Sequence, residues 1–273
     1  MNRKLASISV GCLLAIATII FLYPLFWMIL GSFKSNAEIF STRIFWPREW
    51  TDQYYEILLS NEFFPYLRSL TNSITVSLSQ GVGATLLAAM AGFVIGSYRF
   101  RGRIGLFALG VLVVLIPPQM VALPLFIWVN ALGFFDNLFG VILPGLVSGM
   151  GVLFFARVYS QLPSDLLDVA RMEGASEFRI FLLTLPLVKS FLIAFGFAHF
   201  VLSWHAHIIP MLLLHSEETR TLPISLAALY GSSLNSPQAV LMAGSALGML
   251  PLVAVFAFAY PQLKSALQEF VAQ

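Results

Sequence analysis

The sequence predicts an all-α membrane protein with six transmembrane helices. Of its 273 residues, 59% are apolar and only 10% are charged, whereas a soluble domain has about 45–50% apolar and about 25% charged residues. The apolar residues form blocks long enough to cross a hydrocarbon core of about 30 Å, which takes about 20 helical residues. The blocks lie at approximately residues 8–32, 70–97, 104–130, 138–160, 188–214 and 239–261.

Helices rather than strands explain the six blocks, because transmembrane strands are short and alternate between apolar and polar residues. Arg3 and Lys4 precede the first block as in a signal peptide, but the apolar run continues to about Phe33 without a small-residue cleavage pattern. We therefore expect a retained first span. Cys12, the only cysteine, lies inside this span, so an internal disulfide is excluded and the redox compartment is left open.

The distribution of basic residues predicts which ends of the helices face the cytoplasm. A cytoplasmic N-terminus places ten lysines and arginines on the cytoplasmic side and five outside, in agreement with the positive-inside rule. The inner group is Arg3, Lys4, Arg99, Arg101, Arg103, Arg157, Arg171, Arg179, Lys189 and Lys264, and the outer group is Lys34, Arg43, Arg48, Arg68 and Arg220. Both termini and residues 162–184 are therefore expected in the cytoplasm.

No repeat of fixed period and no low-complexity linker divides the chain, so residues 1–273 are expected to form one transmembrane domain. The first outer loop contains "WPREWTDQYYEILLS", which favours a short interfacial helix. The last outer loop contains a helix-compatible apolar segment, Leu222–Leu229, which either packs against its own bundle or docks a partner. Prolines and glycines in the third, fourth and sixth blocks predict kinks or close helix approach.

Several classes of function are disfavoured by the sequence. No Asp or Glu lies within the six blocks, whereas proton- or sodium-coupled carriers commonly place buried carboxylates there. A net charge of +2 with scattered basic residues does not suggest a nucleic-acid surface. The chain lacks a Gly-x-x-x-x-Gly-Lys-Ser/Thr loop, so it is not expected to bind ATP. An intramembrane hydrolase needs a convergent nucleophile and base; Ser203, Trp204 and His205 are consecutive, and successive helical residues point about 100° apart, so Ser203 and His205 are not expected to form a dyad.

Histidines cluster near the end of the fifth block without the spacing of a metal site. His199, His205, His207 and His215 are separated by six, two and eight residues, whereas two ligands on one helical face are three or four apart. No metal site is therefore expected. Trp204, His205 and His207 are instead candidates for lining a translocation path, with solvation near the outer interface as the alternative.

One amphipathic stretch, "LPSDLLDVARMEGASEFRIFLLT" from Leu162 to Thr184, lies between the fourth and fifth blocks. Pro163 and the polar residues after it predict a helix start. Gly174 predicts the end of that helix, because glycine adopts the left-handed turn conformation without a side-chain clash. Ser176 is expected to cap a second helix, on which apolar residues recur at spacings of three or four. The resulting apolar surface with a charged rim is typical of a partner site.

The same stretch resembles the cytoplasmic loop signature of permease subunits in binding-protein-dependent ABC importers, which has a Glu-Ala-Ala triplet, a glycine and a closing Ile-x-Leu-Pro. The corresponding residues are Asp168, Val169 and Ala170 for the triplet, Gly174 for the glycine, Leu183 for the isoleucine, and Leu185 and Pro186 for the closing pair. "RTLPISLAAL" and "LMAGSALGMLPLVAVFAFAYPQL" resemble the carbohydrate-uptake branch, the maltose and glycerol-phosphate type. The likeness covers most of the chain after about residue 65, but the ending "KSALQEFVAQ" departs from the glycine- and lysine-containing tail of that branch.

The resemblance implies a type I ABC importer permease fold, with coupling helices at about residues 162–184 that sit in a groove of an ATPase subunit. It assigns the coupling role to Asp168, Val169, Ala170, Glu173, Gly174, Ala175, Phe178, Leu183, Leu185 and Pro186. It also implies a bacterial inner-membrane protein that works with an ATP-binding cassette ATPase dimer, a second homologous permease and an extracytoplasmic solute-binding protein. ATP and Mg would be bound by the partner ATPase, and this chain would bind no cofactor. The expected solute is a sugar or a related polyol or sugar derivative.

A different class of function is compatible with the same residues. The chain would then be a membrane channel or scaffold whose cytoplasmic amphipathic loop recruits an unrelated partner. Co-purification separates the two readings, because an ATPase and a second homologous permease are expected only with an importer subunit.

Overall fold

A computed structural model describes residues 3–41, 45–231 and 238–271, and these residues fold into α-helices joined by short connections, without a strand. The first seven helices are α1 (Arg3–Gly31), α2 (Asn36–Ile39), α3 (Gln53–Leu59), α4 (Tyr66–Ser97), α5 (Arg103–Leu115), α6 (Pro118–Ala131) and α7 (Leu138–Gly145). The next seven are α8 (Gly149–Tyr159), α9 (Ser164–Met172), α10 (Glu177–Thr184), α11 (Lys189–Trp204), α12 (Ile208–Leu213), α13 (Leu222–Gly231) and α14 (Gln238–Val271). The predicted all-α class is confirmed. Arg43, which was counted among the outer basic residues, lies outside the described residues.

Four helical segments are long and apolar enough to cross a membrane: Ser9–Gly31, Tyr66–Ser97, Leu138–Tyr159 and Gln238–Gln268. Two further pairs of helices meet the same criteria of length and composition together but are bent, α5 with α6 and α10 with α11. The described residues therefore hold four spans, or up to six if each bent pair is one span. The upper number agrees with the six blocks of the sequence.

The third block, residues 104–130, is not one straight helix. α5 ends at Leu115, α6 begins at Pro118, and the two helices are bent by 100°. Ile116 and Pro117 have extended backbone, with ψ of 115° and 137°, because a residue before proline avoids the helical conformation. Two consecutive prolines also remove two helical N–H donors. The bend therefore follows from the Pro117-Pro118 pair.

The fifth block, residues 188–214, is also interrupted. α11 ends at Trp204 and has 16 residues, fewer than the about 20 that a straight span needs. The chain resumes as the six-residue helix α12. Pro210 explains the break, because proline lacks an N–H and its ring collides with the carbonyl group four residues earlier, here that of Ala206. The sequence predicts one continuous helix over residues 188–214, and this prediction is wrong.

The chain separates into two compact units. The first consists of residues up to Leu67 together with Ser225–Leu250, and the second consists of Arg68–Ile224 together with the residues from Pro251 onward. The single transmembrane domain expected from the sequence stays a prediction.

Side-chain contacts join α1, α4 and α14 in the first unit. Tyr66 donates a hydrogen bond from its hydroxyl group to the carbonyl oxygen of Gly244 at 2.9 Å. Gly31, the last residue of α1, lies where an added Cβ atom would collide with the sulfur of Met242. The absence of a side chain at Gly31 leaves room for the side chain of Met242.

Aromatic side chains fill one core of the second unit. Members of this core come from α4, α8, α9, α10, α11 and α14, and they include Phe93, Phe155, Tyr159, Leu167 and Phe181, all of which are buried. The ring of Phe93 lies 5.3 Å from that of Tyr159 and 5.6 Å from that of Phe181, within the range of favourable aromatic pairs. The helices α9 and α10 thus pack against α4 and α8 through this core.

Candidate functional site

Helices α9 and α10 form a hairpin (residues 164–184) that turns at Gly174. Gly174 has a φ of +79°, the left-handed conformation that was predicted for it. Its N–H donates to Arg171 O at 2.9 Å, and the N–H of Ala175 donates to Ala170 O at 3.1 Å. These two bonds satisfy carbonyl groups at the end of α9 in the pattern of a Schellman motif. Ser176 then caps α10, since its hydroxyl oxygen accepts a bond from Arg179 N, also as predicted.

The hairpin has one face that packs inward and one face that is exposed. Leu167, Ile180, Phe181 and Thr184 are buried on the inner face, and the aromatic core supplies their contacts. Among the predicted coupling residues, those that pack against this core are Ala170, Ala175 and Leu185. Those that are exposed are Asp168, Val169, Glu173, Gly174, Phe178, Leu183 and Pro186. The predicted residues therefore divide into a supporting set and a surface set.

Apolar side chains dominate the exposed face. Met172 is 87% exposed, Phe178 is 61% exposed and Val169 is 59% exposed. Side chains of this size rarely remain uncovered in clusters unless they meet a partner or lipid. Phe178 also lines a groove of about 380 Å³, together with Phe93, Val94 and other residues of α4 and α10.

A polar cluster joins the two helices of the hairpin to the end of α4. Arg171 forms ion pairs with Asp168 at 2.7 Å and with Glu177 at 3.2 Å. Its guanidinium carbon lies 5.1 Å from the ring centroid of Tyr98, the residue that follows α4. The hydroxyl group of Tyr98 donates to Glu177. Desolvation and the bond to Glu177 raise the pKa of Tyr98 above its ordinary value, so the hydroxyl group stays protonated and keeps donating.

The sequence reading missed most of this cluster. The pairing of Arg171 with Asp168 could have been found, because the residues are three apart on one helix. The contact between Tyr98 and Glu177 joins positions 79 residues apart, and no local pattern indicates it.

The three candidate path residues lie where α11 ends, but they do not share one surface. Trp204 is 6% exposed, and its ring lies 5.8 Å from that of Phe200, so it packs inside the protein. His205 and His207 are exposed in the interruption between α11 and α12. The Nδ1 atom of His205 lies 2.8 Å from Val201 O, which places its ring against the last turn of α11.

The other two histidines have separate surroundings. The Nε2 atom of His199 lies 3.0 Å from Gly145 O, and its ring stacks on Phe195. His215 contacts the ring of Phe135. Within residues 3–41, 45–231 and 238–271, no group of three or more His, Cys, Asp or Glu residues could hold a metal ion.

A second polar site, which the sequence reading did not identify, centres on Asp136 in the connection between α6 and α7. Its carboxylate accepts hydrogen bonds from the N–H groups of His215 and Ser216, at 2.8 and 3.1 Å, and from the hydroxyl group of Thr219. Partial desolvation would raise the pKa of Asp136, but these hydrogen bonds outweigh it and hold that pKa well below its ordinary value. The ionised carboxylate therefore fixes the start of the segment that leads from α12 to α13.

Side chains at the start of α4 form hydrogen bonds with the second half of the segment between α12 and α13. The side-chain amide of Asn72 donates to the carbonyl oxygens of Glu218 and Arg220 at 2.8 and 3.0 Å. The hydroxyl oxygen of Ser73 accepts a bond from Leu222 N at 2.7 Å. Asn72 and Ser73 are buried, so these bonds are shielded from competing water. Residues 215–222 are thus anchored at both ends.

Comparisons with known proteins agree with this arrangement of helices. The family model described as "Binding-protein-dependent transport system inner membrane component" matches residues 84–268. The arabinooligosaccharides transport system permease protein AraQ of Bacillus subtilis (strain 168) is 32% identical, over 88% of this chain and 86% of that protein. The inner membrane ABC transporter permease protein YcjP of Escherichia coli (strain K12) is 29% identical, over 97% of this chain and 96% of that protein.

The lactose transport system permease protein LacG of Rhizobium radiobacter is 23% identical, over 94% of this chain and 93% of that protein. Among solved structures, a chain of a bacterial ABC transporter involved in the import of the acidic polysaccharide alginate matches with a TM-score of 0.82 and 21% identity. The match covers 96% of this chain and 99% of the other. It supports the fold alone.

Proposed function

Because this chain belongs to the family of binding-protein-dependent transport system inner membrane components, we propose that it is the transmembrane subunit of an ATP-driven carbohydrate importer. With a second homologous permease it forms the path that carries the solute across the bacterial inner membrane. The observation that carries the proposal is the α9–α10 hairpin, which turns at Gly174 and exposes apolar side chains. An exposed apolar surface with a polar rim is typical of a site that docks a partner, which supports the proposal.

The proposed partner at the hairpin is the ATPase dimer. The ATPase dimer binds ATP and Mg and hydrolyses ATP. The exposed set of hairpin residues, including Val169 and Phe178, sits in a groove of the ATPase. Closure of the two ATPase subunits moves the hairpins of the two permeases together. The attached membrane helices then switch between inward-facing and outward-facing arrangements.

The proposed solute is an oligosaccharide or a related sugar derivative, delivered by a solute-binding protein outside the membrane. The names of similar proteins support this class, since they include transport of arabinooligosaccharides, lactose and galactooligosaccharides. Deletion of this subunit is the direct test: uptake of one class of sugars, polyols or their phosphates is expected to stop while other uptake continues. Unchanged uptake across such a panel, or purification without an ATPase and a second permease, would favour a channel or scaffold.

The interruption between α11 and α12 is the proposed location of path residues. Irregular backbone at membrane depth is tolerated where it lines a water-filled cavity or is buried in protein, and interrupted helices often border solute sites in transporters. His205 and His207 are exposed at this interruption and can exchange hydrogen bonds with hydroxyl-rich solutes. Trp204 is buried against Phe200, so its role is to support the packing at the end of α11 rather than to stack on the solute.

The double substitution His205→Ala and His207→Ala is expected to lower the maximal rate of solute uptake by between about twofold and tenfold, the equivalent of one lost hydrogen bond. The measurement is uptake by proteoliposomes that contain the assembled complex, with His215→Ala as the control. Uptake at the wild-type rate would contradict the path role. Stoichiometric transition metal in the chelator-washed complex would instead indicate a metal site.

Both termini are proposed to lie in the cytoplasm, as the ten-to-five distribution of basic residues indicates. A reporter that is active only in the cytoplasm, fused after Gln273, is expected to be active. A matched fusion within residues 215–222 is expected to be inactive. If the fusion within residues 215–222 is active and the fusion after Gln273 is inactive, the orientation is the reverse of the proposed one. The hairpin would then lie on the side of the membrane that lacks ATP.

A further inference from the structure

The hairpin has a side-chain attachment to α4 in addition to its chain connection to α11. Tyr98 directly follows the last residue of α4, and its ring packs edge-on against Phe93 of that helix at 5.5 Å. The same ring lies beneath the guanidinium group of Arg171, and the hydroxyl group donates to Glu177. Tyr98 therefore contacts α9 through Arg171 and α10 through Glu177.

The contacts form a closed triangle that spans the Gly174 turn. Arg171 precedes the turn and Glu177 follows it, and the two side chains are joined by an ion pair of 3.2 Å. Tyr98 is the third corner. Because each corner touches the other two, a displacement of either helix of the hairpin changes the position of Tyr98.

The triangle lies beside the groove between α4 and α10. Tyr98 and Glu177 line this 380 Å³ groove together with Phe178. Two kinds of contact therefore join α10 to α4, the ring pair of Phe93 and Phe181 at 5.6 Å and the polar contacts of Tyr98. As a source of stability the cluster is weak, because Arg171 and Glu177 are 35% and 58% exposed and exposed pairs contribute about 0–1 kcal/mol.

We propose that Tyr98, Arg171 and Glu177 are positioning residues that, in addition to the aromatic core, transmit movement of the hairpin to α4, so that ATPase closure moves α4 together with α11. This inference rests on the proposed function. Its specific content is that loss of the triangle uncouples ATP hydrolysis from solute movement without detaching the ATPase.

The test uses the complete complex with its ATPase and binding protein in proteoliposomes, and it measures solute imported per ATP hydrolysed. Tyr98→Leu and Glu177→Ala are each expected to lower this ratio about fivefold or more, the usual lower limit of coupling between sites. ATPase association and the ATP hydrolysis rate are expected to stay within about twofold of wild type. Tyr260→Leu, at an exposed tyrosine of α14, is the matched control and is expected to leave the ratio unchanged.

A double-mutant cycle separates positioning from general destabilisation. Tyr98→Phe and Glu177→Ala both remove the same hydrogen bond, so their combined effect on the ratio is expected to be smaller than the product of the two single effects. If Tyr98→Leu is not recovered from membranes, Tyr98→Phe with Glu177→Gln provides the same comparison. A wild-type ratio in these variants, or equal losses of hydrolysis and uptake, would overturn the inference. Failure of the wild-type complex to import any carbohydrate would instead overturn the proposed function.

Discussion

A single methyl group added at Gly92 is expected to destabilise the packing of α4 against α8. A Cβ atom at this position would lie 2.7 Å from both the backbone nitrogen of Ala156 and the carbonyl carbon of Phe155, and closer still to the Cβ atom of Phe155. Two of these neighbours are backbone atoms, so no side-chain rotation relieves the contact. Gly96, one turn further along α4, meets α8 at comparable distances, for example 2.6 Å to Ala156 O. This pair of glycines lets the two helices approach closely.

The expected cost of Gly92→Ala is at or above the upper end of the about 1–3 kcal/mol that overpacking usually causes. The control is Gly105→Ala in α5, where nothing lies within 4 Å of an added Cβ atom. Alanine is the better helix former by about 1 kcal/mol, so the control is expected to be neutral or slightly stabilising. The measurement compares the amount of each variant in membranes and the thermal midpoint in detergent. Equal midpoints for the two variants would show that α4 and α8 do not depend on this contact.

Features that depend on local sequence were predicted correctly. The apolar blocks gave the helical class, because length and apolarity alone decide whether a segment can cross a bilayer. The left-handed turn at Gly174 and the Ser176 cap were also predicted, since each depends on the backbone preference of one residue. The helix-compatible segment after Leu222 is likewise a helix, α13.

Interruptions within the blocks were only partly predictable. The prolines of the third block indicated a kink, and the Pro117-Pro118 pair explains why α5 and α6 separate, but the sequence alone did not predict an angle of 100°. In the fifth block the sequence reading passed over Pro210 because the surrounding residues are strongly apolar. The apolar pattern indicates that a segment is buried in lipid or protein. It does not indicate whether the helical hydrogen bonds of the backbone are unbroken along that segment.

Contacts between distant residues account for what was missed at the sites. Tyr98 reaches Glu177, and Asp136 reaches Thr219 from 83 residues away. Such contacts arise only once the helices have packed. The predicted coupling residues divided into inner and outer sets for the same reason: Leu185 packs against the aromatic core and Phe178 does not. A sequence motif places residues along the chain, whereas their exposure depends on the core beneath them.

The variant Gly174→Val is expected to reach the membrane at normal levels and to lose solute uptake. The φ of +79° at Gly174 costs an L-residue about 1–2 kcal/mol, and a β-branched side chain is stiffer still. Nothing lies within 4 Å of an added Cβ atom, so the strain comes from the backbone of the turn rather than from a collision with the core. The six blocks of the sequence do not depend on this turn and are expected to insert normally.

Relief of that strain requires the turn to open, which breaks the bonds of Gly174 N to Arg171 O and Ala175 N to Ala170 O. The angle between α9 and α10 then changes, and the exposed apolar face is expected no longer to fit the proposed groove on the ATPase. Gly174→Asn is the matched control, because asparagine enters the left-handed conformation more readily than other non-glycine residues, and it is expected to retain most of the uptake. The experiment measures membrane levels, ATPase co-purification and uptake for both variants. Wild-type uptake by Gly174→Val at normal membrane levels would mean that the shape of this turn does not determine ATPase docking.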